Sequence, residues 1–432
     1  MQMMTDSMTT GSLPMNRRSL LRGAALLGAG AALPFPAFAR TPAEIWPGLQ
    51  VLIDGYVAER KFSGGVISVG KGTAAPDFLT GGTIATDSPT PADADTLWRI
   101  YSMTKPITGM AAMMLIGEGK LKLDQPIADF IPGFAAMKVL TSPETSLDAV
   151  PAKAQITVRH LLTHTAGLGY TIITTGPLLA EYQRLGLYAF IASRAPLPGQ
   201  PPLVHAPRLK DFADRLATLP LIAEPGTKWS YSVGLDLLGR VIEVASGQPF
   251  DAFLKARIFD PLKMTSTGFT VAKENAARLA TNYYHAGPLT LPVDPGATSI
   301  FLDPPPFPFG GAGLVSSARD YDRFLAMLVG LGTLDGTTIM APETARLGMS
   351  NLLPPNVPTA VPLLDGRGFG AGGRVTLTGP GAGSYGWAGA AGTVGFADPV
   401  RKIRAGGYAN YMPAGTIPWQ ADVPAAVYKA LA

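Results

Sequence analysis

The chain has 432 residues, of which 47% are hydrophobic and 15% charged, with a formal net charge of +4. That composition excludes an intrinsically disordered chain, and the length favours two lobes over one compact core. With no cysteine, disulfides, thiolate catalysis and cysteine-ligated metal are excluded.

The first predicted element is a targeting segment. "MNRRSLLRGAALLGAGAALPFPAFAR" carries paired Arg17 and Arg18, then Ser19-Leu20-Leu21, a short apolar run from Gly23 to Leu33, and the small residues Ala37 and Ala39. This is the pattern of a twin-arginine (Tat-type) signal peptide over residues 1–39, cleaved after Ala39, and it predicts a periplasmic or secreted product. A bilayer span needs about 20 apolar residues, so stable membrane insertion is not expected. A retained N-terminal anchor or tail is the alternative. Removing residues 1–39 takes away three arginines and one aspartate, so the net charge falls from +4 to +2. No basic run of the kind nucleic-acid binding needs is present.

Pro42–Lys61 reads as an amphipathic helix with Ile45, Leu49, Leu52, Ile53 and Tyr56 on one stripe. Gly64–Lys71 reads as a strand, and a helix opened by Ser102 follows. Arg374–Gly379, Gly392–Pro399 and Ile403–Tyr411 are strand-like. "VPAAVYKALA" closes the chain as a helix, with Pro424 suited to its first turn. The middle is helix-rich: "ITVRHLLTHTAGL" and "LDLLGRVIEVASGQPFDAFLKARIF" have helical spacing, the second broken at Ser246-Gly247. The expected architecture is α/β. Residues 40–119 and 313–432 form an antiparallel sheet flanked by helices and built from both chain ends. A mainly helical lobe, 120–312, is inserted, with loops over the cleft between them. The proline-rich loops Leu302–Gly313 and Leu352–Gly368 are too long for plain connectors and are expected to line the binding mouth.

Ser102 stands three residues before Lys105 in "SMTKPITGMAAMMLIG". Residues i and i+3 share a helix face, so the ammonium lies within reach of the hydroxyl, which needs such a neighbour to become a nucleophile. A helix start adds N–H groups that favour an oxyanion. Pro106 is tolerable only in a first turn, which places Ser102 at the N-terminus. S-x-x-K alone is a weak pattern; without further support, a capping serine and an exposed lysine are the better explanation of it. Tyr231, in "EPGTKWSYSVGLDLLGRVIEVASG", precedes another helix. Phenols ordinarily ionise near pH 10; a lysine cation nearby favours the phenolate and makes this side chain a candidate general base, packing against the helix start being the alternative. His160 and His164 are spaced i,i+4, but no glutamate occupies the metalloprotease position. His205 and His285 are isolated. No G-x-S-x-G occurs. Met110, Met113 and Met114 read as core.

"SMTK", "LLTHTAGL", "PGTKWSYS", "GGAGLVSSARDYDRFLAML" and "GWAGAAGT" occur in this order. Together they resemble the serine β-lactamase/penicillin-binding-protein superfamily, in its class C-like branch with the family VIII carboxylesterases, over about Trp46 to Ala430. The resemblance implies an acylated Ser102, Lys105 as its partner, and Tyr231 as first residue of a Y-x-N element. A K-T-G-like third element falls on Trp387-Ala388-Gly389, as an edge strand beside Ser102. The N–H groups of Ser102 and Ala390 would form the oxyanion hole.

Two positions depart from the β-lactamase pattern. Val233 replaces the asparagine that contacts a β-lactam side chain, and Trp387 replaces the lysine that holds its carboxylate. The expectation is therefore a serine hydrolase of carboxylic esters, with acyl transfer as a variant. Val233, Trp387, Gly389 and Phe307 would bind the substrate. A class C-like β-lactamase or D-Ala peptidase, and a non-catalytic binding protein on the same scaffold, are the alternatives. No metal and no organic cofactor is implied; the partner is a small-molecule ester. The sequence leaves the oligomeric state open.

Overall fold

The computed structural model describes residues 40–196 and 203–432; the signal peptide expected over 1–39 lies outside the described residues. Of the described residues, 40–45 fall in a unit separate from the rest, in which Glu44 accepts from the Thr41 N–H and hydroxyl at the start of the short helix Pro42–Ile45. The predicted N-terminal helix is thus interrupted. Helix α1 spans Pro47–Ala58, because Pro47 lacks an N–H and suits only a first turn. Leu49 and Ile53 carry its buried stripe, while Ile45 is exposed.

Apart from the short pairs Lys138–Leu140 with Ala149–Pro151 and Thr333–Leu334 with Thr337–Thr338, the strands are, in chain order, β1 (Gly64–Lys71), β2 (Asp77–Gly82), β3 (Leu97–Arg99), β4 (Asn282–Ala286), β5 (Leu289–Asp294), β6 (Val315–Ser317), β7 (Gly368–Phe369), β8 (Arg374–Val375), β9 (Tyr385–Ala388), β10 (Val394–Asp398), β11 (Ile403–Tyr408) and β12 (Tyr411–Met412). A seven-stranded antiparallel sheet has the order β7-β8-β9-β10-β11-β1-β2, so both ends of the chain build it. Ile67 and Val69 of β1 pack with Leu49 and Ile53 of α1 and with Trp419, Val423 and Val427 of the C-terminal helix. Val66 belongs to the larger core cluster on the other face. There Arg404 of β11 makes paired 2.9 Å hydrogen bonds to Asp322 on the helix Ala318–Val329.

Four local readings change. The strand expected at Arg374–Gly379 contracts to two residues. Tyr411 leaves the main sheet, and β12 pairs with β4 in a three-stranded sheet with β5, a hairpin the sequence did not disclose. The last helix begins at Trp419, so Pro424 lies inside it and not in its first turn; Trp419, Val423 and Val427, spaced i,i+4,i+8, seal it onto the sheet. Finally, β9 is third in its sheet. β8 pairs only with Tyr385 and Gly386, however, so Trp387 and Ala388 keep a free edge on that side.

Helix α2 (Thr104–Gly117) is buried almost all round, as expected of a helix in the middle of a core. Gly109 is required there: a Cβ would lie 1.9 Å from the Ala371 carbonyl oxygen. One face of α2 latches a loop. Thr108 Oγ1 donates to Gly310 O, Lys105 Nζ donates to Gly311 O, and Thr104 Oγ1 accepts the Leu314 N–H. Ahead of α2, Arg99 is fully buried and bonds Asp294, Ser299, the Ala280 carbonyl and Asn410. It ties three distant segments to the turn that carries Ser102.

Breaking a buried ion pair leaves an uncompensated charge and costs about 3–5 kcal/mol. Arg99→Met should therefore lower the unfolding free energy, read from urea titration, by that order. The double change Arg99→Met with Asp294→Leu should be milder; a double variant no more stable than the single one would refute this account.

Candidate active site

Ser102 lies in a 3₁₀ turn, Tyr101–Met103, that runs directly into α2. Tyr101 has φ 39°, a left-handed conformation costing a non-glycine residue about 1–3 kcal/mol. Full burial of Tyr101 and an edge contact with Phe301 hold it there. One turn on, Lys105 Nζ lies 3.3 Å from Ser102 Oγ and 2.7 Å from Gly311 O. Tyr231 Oη lies 2.7 Å from Ser102 Oγ, and Lys105 Nζ sits 4.5 Å from the centre of the Tyr231 ring. The three side chains singled out in the sequence therefore meet, and all are buried.

Tyr231 is fixed by two residues that the sequence analysis named for other reasons, His164 and Trp387. His164 Nδ1 accepts the Ser232 N–H and contacts the Ser232 hydroxyl, and its ring packs 4.8 Å from that of Tyr231. Burial, and secondarily the Lys105 cation, push the His164 pKa well below its ordinary value; the imidazole is neutral and acts as a fixed acceptor. Trp387, expected as a substrate contact, points its Nε1–H at Tyr231 Oη, 3.4 Å away.

Asp236 is not singled out by the sequence. It lies in the first turn of helix α3 (Gly234–Ser246), where an acidic residue reads simply as a partner for the helix dipole. In the fold it is fully buried. Oδ1 accepts the Gly311 N–H at 2.8 Å, while Oδ2 has no hydrogen-bond partner among the described residues. A Cβ on Gly311 would sit 2.6 Å from that oxygen, so only glycine fits. Burial pushes the carboxyl pKa up to about 7, and the Lys105 charge opposes that rise.

The third element is held against the nucleophile turn. A Cβ on Gly389 would lie 2.4 Å from the Ile100 carbonyl oxygen. This close approach brings the end of β9 beside the residues preceding Ser102. Ala390, next along, is exposed, and its N–H donates to no carbonyl among the described residues. Two expected substrate contacts are corrected. Val233 is fully buried, its N–H bonded to Gly169 O, and Phe307 packs inward on Phe212 and Phe309. Both are core residues supporting the site. A cavity of about 410 Å³ opens between Ile191–Pro196, His205 and Asp303–Pro306. It includes part of the Leu302–Gly313 loop but none of the three central residues, so the chemistry is located by convergence of functional groups and not by concavity.

The chain resembles known proteins over most of its length. A family model described as Beta-lactamase matches residues 49–419. An uncharacterized protein of Mycobacterium tuberculosis is 37% identical over 73% of this chain and 78% of its own length. Esterase EstB of Burkholderia gladioli is 32% identical over 68% of this chain and 73% of its own. Among solved structures, EstCE1, a hydrolase with promiscuous acyltransferase activity, superposes with a TM-score of 0.70 at 26% identity, covering 90% of this chain and 99% of that one. The convergence of Ser102, Lys105 and Tyr231 beside Trp387 of β9, together with a family match over most of the sequence, leads to one assignment: the chain belongs to the beta-lactamase family, within the serine β-lactamase/penicillin-binding-protein superfamily.

Proposed function

We propose that the protein is a serine carboxylesterase of the family VIII type, working through an acyl-enzyme. The observation that carries this reading is the placement of one hydroxyl oxygen, Ser102 Oγ, 2.7 Å from a phenol and 3.3 Å from an ammonium. In this mechanism Tyr231 acts as base in its phenolate form, with Lys105 Nζ 4.5 Å from the centre of its ring. The phenolate takes the Ser102 proton as Oγ attacks the ester carbonyl carbon. The N–H groups of Ser102 and Ala390 hold the resulting oxyanion. Tyr231 returns its proton to the leaving alkoxide, the C–O bond breaks, and the acyl group stays on Ser102. Water then attacks the acyl carbon and gives its proton to Tyr231; Tyr231 passes that proton to Ser102 Oγ as the Oγ–acyl bond breaks and the acid leaves. An alcohol in the place of water gives acyl transfer; the names of EstB and EstCE1 support both outcomes. In this reading residues 40–119 and 313–432 act as the α/β lobe and 120–312 as the helical lobe over it. The twin-arginine segment sends the protein to the periplasm or beyond. No helix of the described residues is long and apolar enough to cross a membrane.

The reading is tested with p-nitrophenyl butyrate and nitrocefin. Ester turnover should dominate, and Ser102→Ala should reduce it by at least about a thousandfold. Nitrocefin turnover far above that of the ester would reverse the substrate assignment. Failure of a fluorophosphonate to label Ser102 would favour the binding-protein alternative.

Asp236 adds a pH dependence of stability. A carboxyl raised from 3.8 to about 7 binds its proton more tightly in the folded state. The stability it contributes is thus fully present below the unfolded pKa and is lost as pH rises through about 7. The urea midpoint of the wild type should fall between pH 5 and pH 8, and Asp236→Asn should flatten that slope. Identical slopes for the two proteins would remove Asp236 as the titrating group.

A further inference from the structure

A backbone N–H stabilises an oxyanion only when it points at it, and the Ala390 N–H belongs to a peptide unit that the local sequence leaves loose. That unit joins Gly389 to Ala390. Gly389 has to be glycine, because a Cβ there would meet the Ile100 carbonyl oxygen at 2.4 Å. The same lack of a Cβ lets the peptide plane beside it turn with little steric resistance. The last helix, Trp419–Leu431, supplies a hold from outside the turn. Gln420, its second residue, is half-buried. Its side-chain Nε2 donates to Gly389 O at 2.6 Å and to Thr393 O at 2.8 Å. Both partners are acceptors only, so the amide nitrogen and not its oxygen faces them.

A peptide unit is planar and trans, so its C=O and N–H point in opposite directions. Gly389 O and the Ala390 N–H are the two ends of one such unit. Holding the oxygen toward Gln420 therefore sends the N–H the other way. Ala390 is exposed, and its N–H donates to no backbone carbonyl among the described residues. The bond to Gly389 O also polarises the peptide and makes its N–H a stronger donor. The bond to Thr393 O anchors the same amide on the far side of the turn between β9 and β10. We propose that Gln420 is a positioning residue for the oxyanion hole: it fixes the 389–390 peptide so that the Ala390 N–H faces the carbonyl oxygen of the substrate. This rests on the esterase reading and deepens it with a residue from the far end of the chain. Gln420 acts through the backbone of Gly389 and not on the ester itself.

The test uses p-nitrophenyl butyrate as substrate and butylboronic acid as inhibitor. Ser102 Oγ donates a lone pair to boron, its proton passes to the Tyr231 phenolate, and one oxygen of the resulting tetrahedral borate takes the place of the oxyanion. Gln420→Met keeps the length of the side chain and removes both donors. Gly389 O still accepts the Gly392 N–H at 3.2 Å, and Thr393 O the Gly389 N–H at 2.7 Å, so neither carbonyl is left unpaired and the variant should fold. Outright loss of an oxyanion-hole donor lowers kcat by about a hundredfold or more. A donor that is present but no longer held should lower it by about tenfold, with KM within about twofold of the wild type. The inhibition constant of the boronic acid should rise by the same factor as kcat/KM falls. A partly folded variant would lose kcat alone, because inhibition is read only from the molecules that turn over. A lowered kcat with an unchanged inhibition constant therefore refutes the positioning role, as does a change confined to KM or wild-type values throughout. Should Gln420→Met fail to fold, Gln420→Asn, which withdraws the amide by one methylene, must show the same paired losses; wild-type kcat and inhibition in that variant refute the assignment. A wild type that does not turn over the ester refutes the esterase reading, and the role of Gln420 with it.

Discussion

Lys105 has no exposed surface, and the site is organised around that fact. A buried ammonium is tolerated only where oxygen acceptors and negative charge surround it. The Gly311 carbonyl and Ser102 Oγ supply the acceptors, the Tyr231 ring supplies a π face, and Asp236 supplies a carboxyl behind Gly311. Each comes from a different segment: the turn before α2, the loop after Phe309, the turn before α3, and α3 itself. Satisfying one charge therefore fixes four pieces of chain relative to one another. The reactive oxygen is left in the middle of them.

The scaffold meets this demand with other buried charges and close contacts. Arg99 ties Asp294, Ser299, Ala280 and Asn410 to the strand leading into Ser102. Arg404 pins the helix Ala318–Val329 to the sheet through Asp322. Gly109 admits the Ala371 backbone against α2, and Gly389 rests on Ile100. Such contacts have discrete geometries, and this holds the left-handed Tyr101 in place. His164 and Trp387 do the same for the Tyr231 phenol, one through Ser232 and the other through an indole N–H. A site built this way is preorganised: its donors and acceptors are oriented before any substrate arrives.

The chain itself determined the reactive groups and most of the framework. Ser102 and Lys105 are legible because three residues on a helix start bring two side chains to one face. Strands β1, β10 and β11 are legible because short stretches with β-branched or aromatic residues lie between turn residues. The break at Gly247 is legible because its left-handed backbone, φ 71°, suits glycine best. Only the tertiary structure decided the rest. The β4–β5 hairpin is held by its pairing with β12, a residue range far away in sequence. Asp236 reads as an ordinary helix-start acid until the fold sets Gly311 and Lys105 beside it. Arg374 reads as a strand residue until the Leu363 carbonyl and the Trp387 ring meet its guanidinium. Local spacing is written along the chain. The burial of a charge, and the partner it finds or lacks, arises from contacts between distant segments, and no short stretch of sequence contains it.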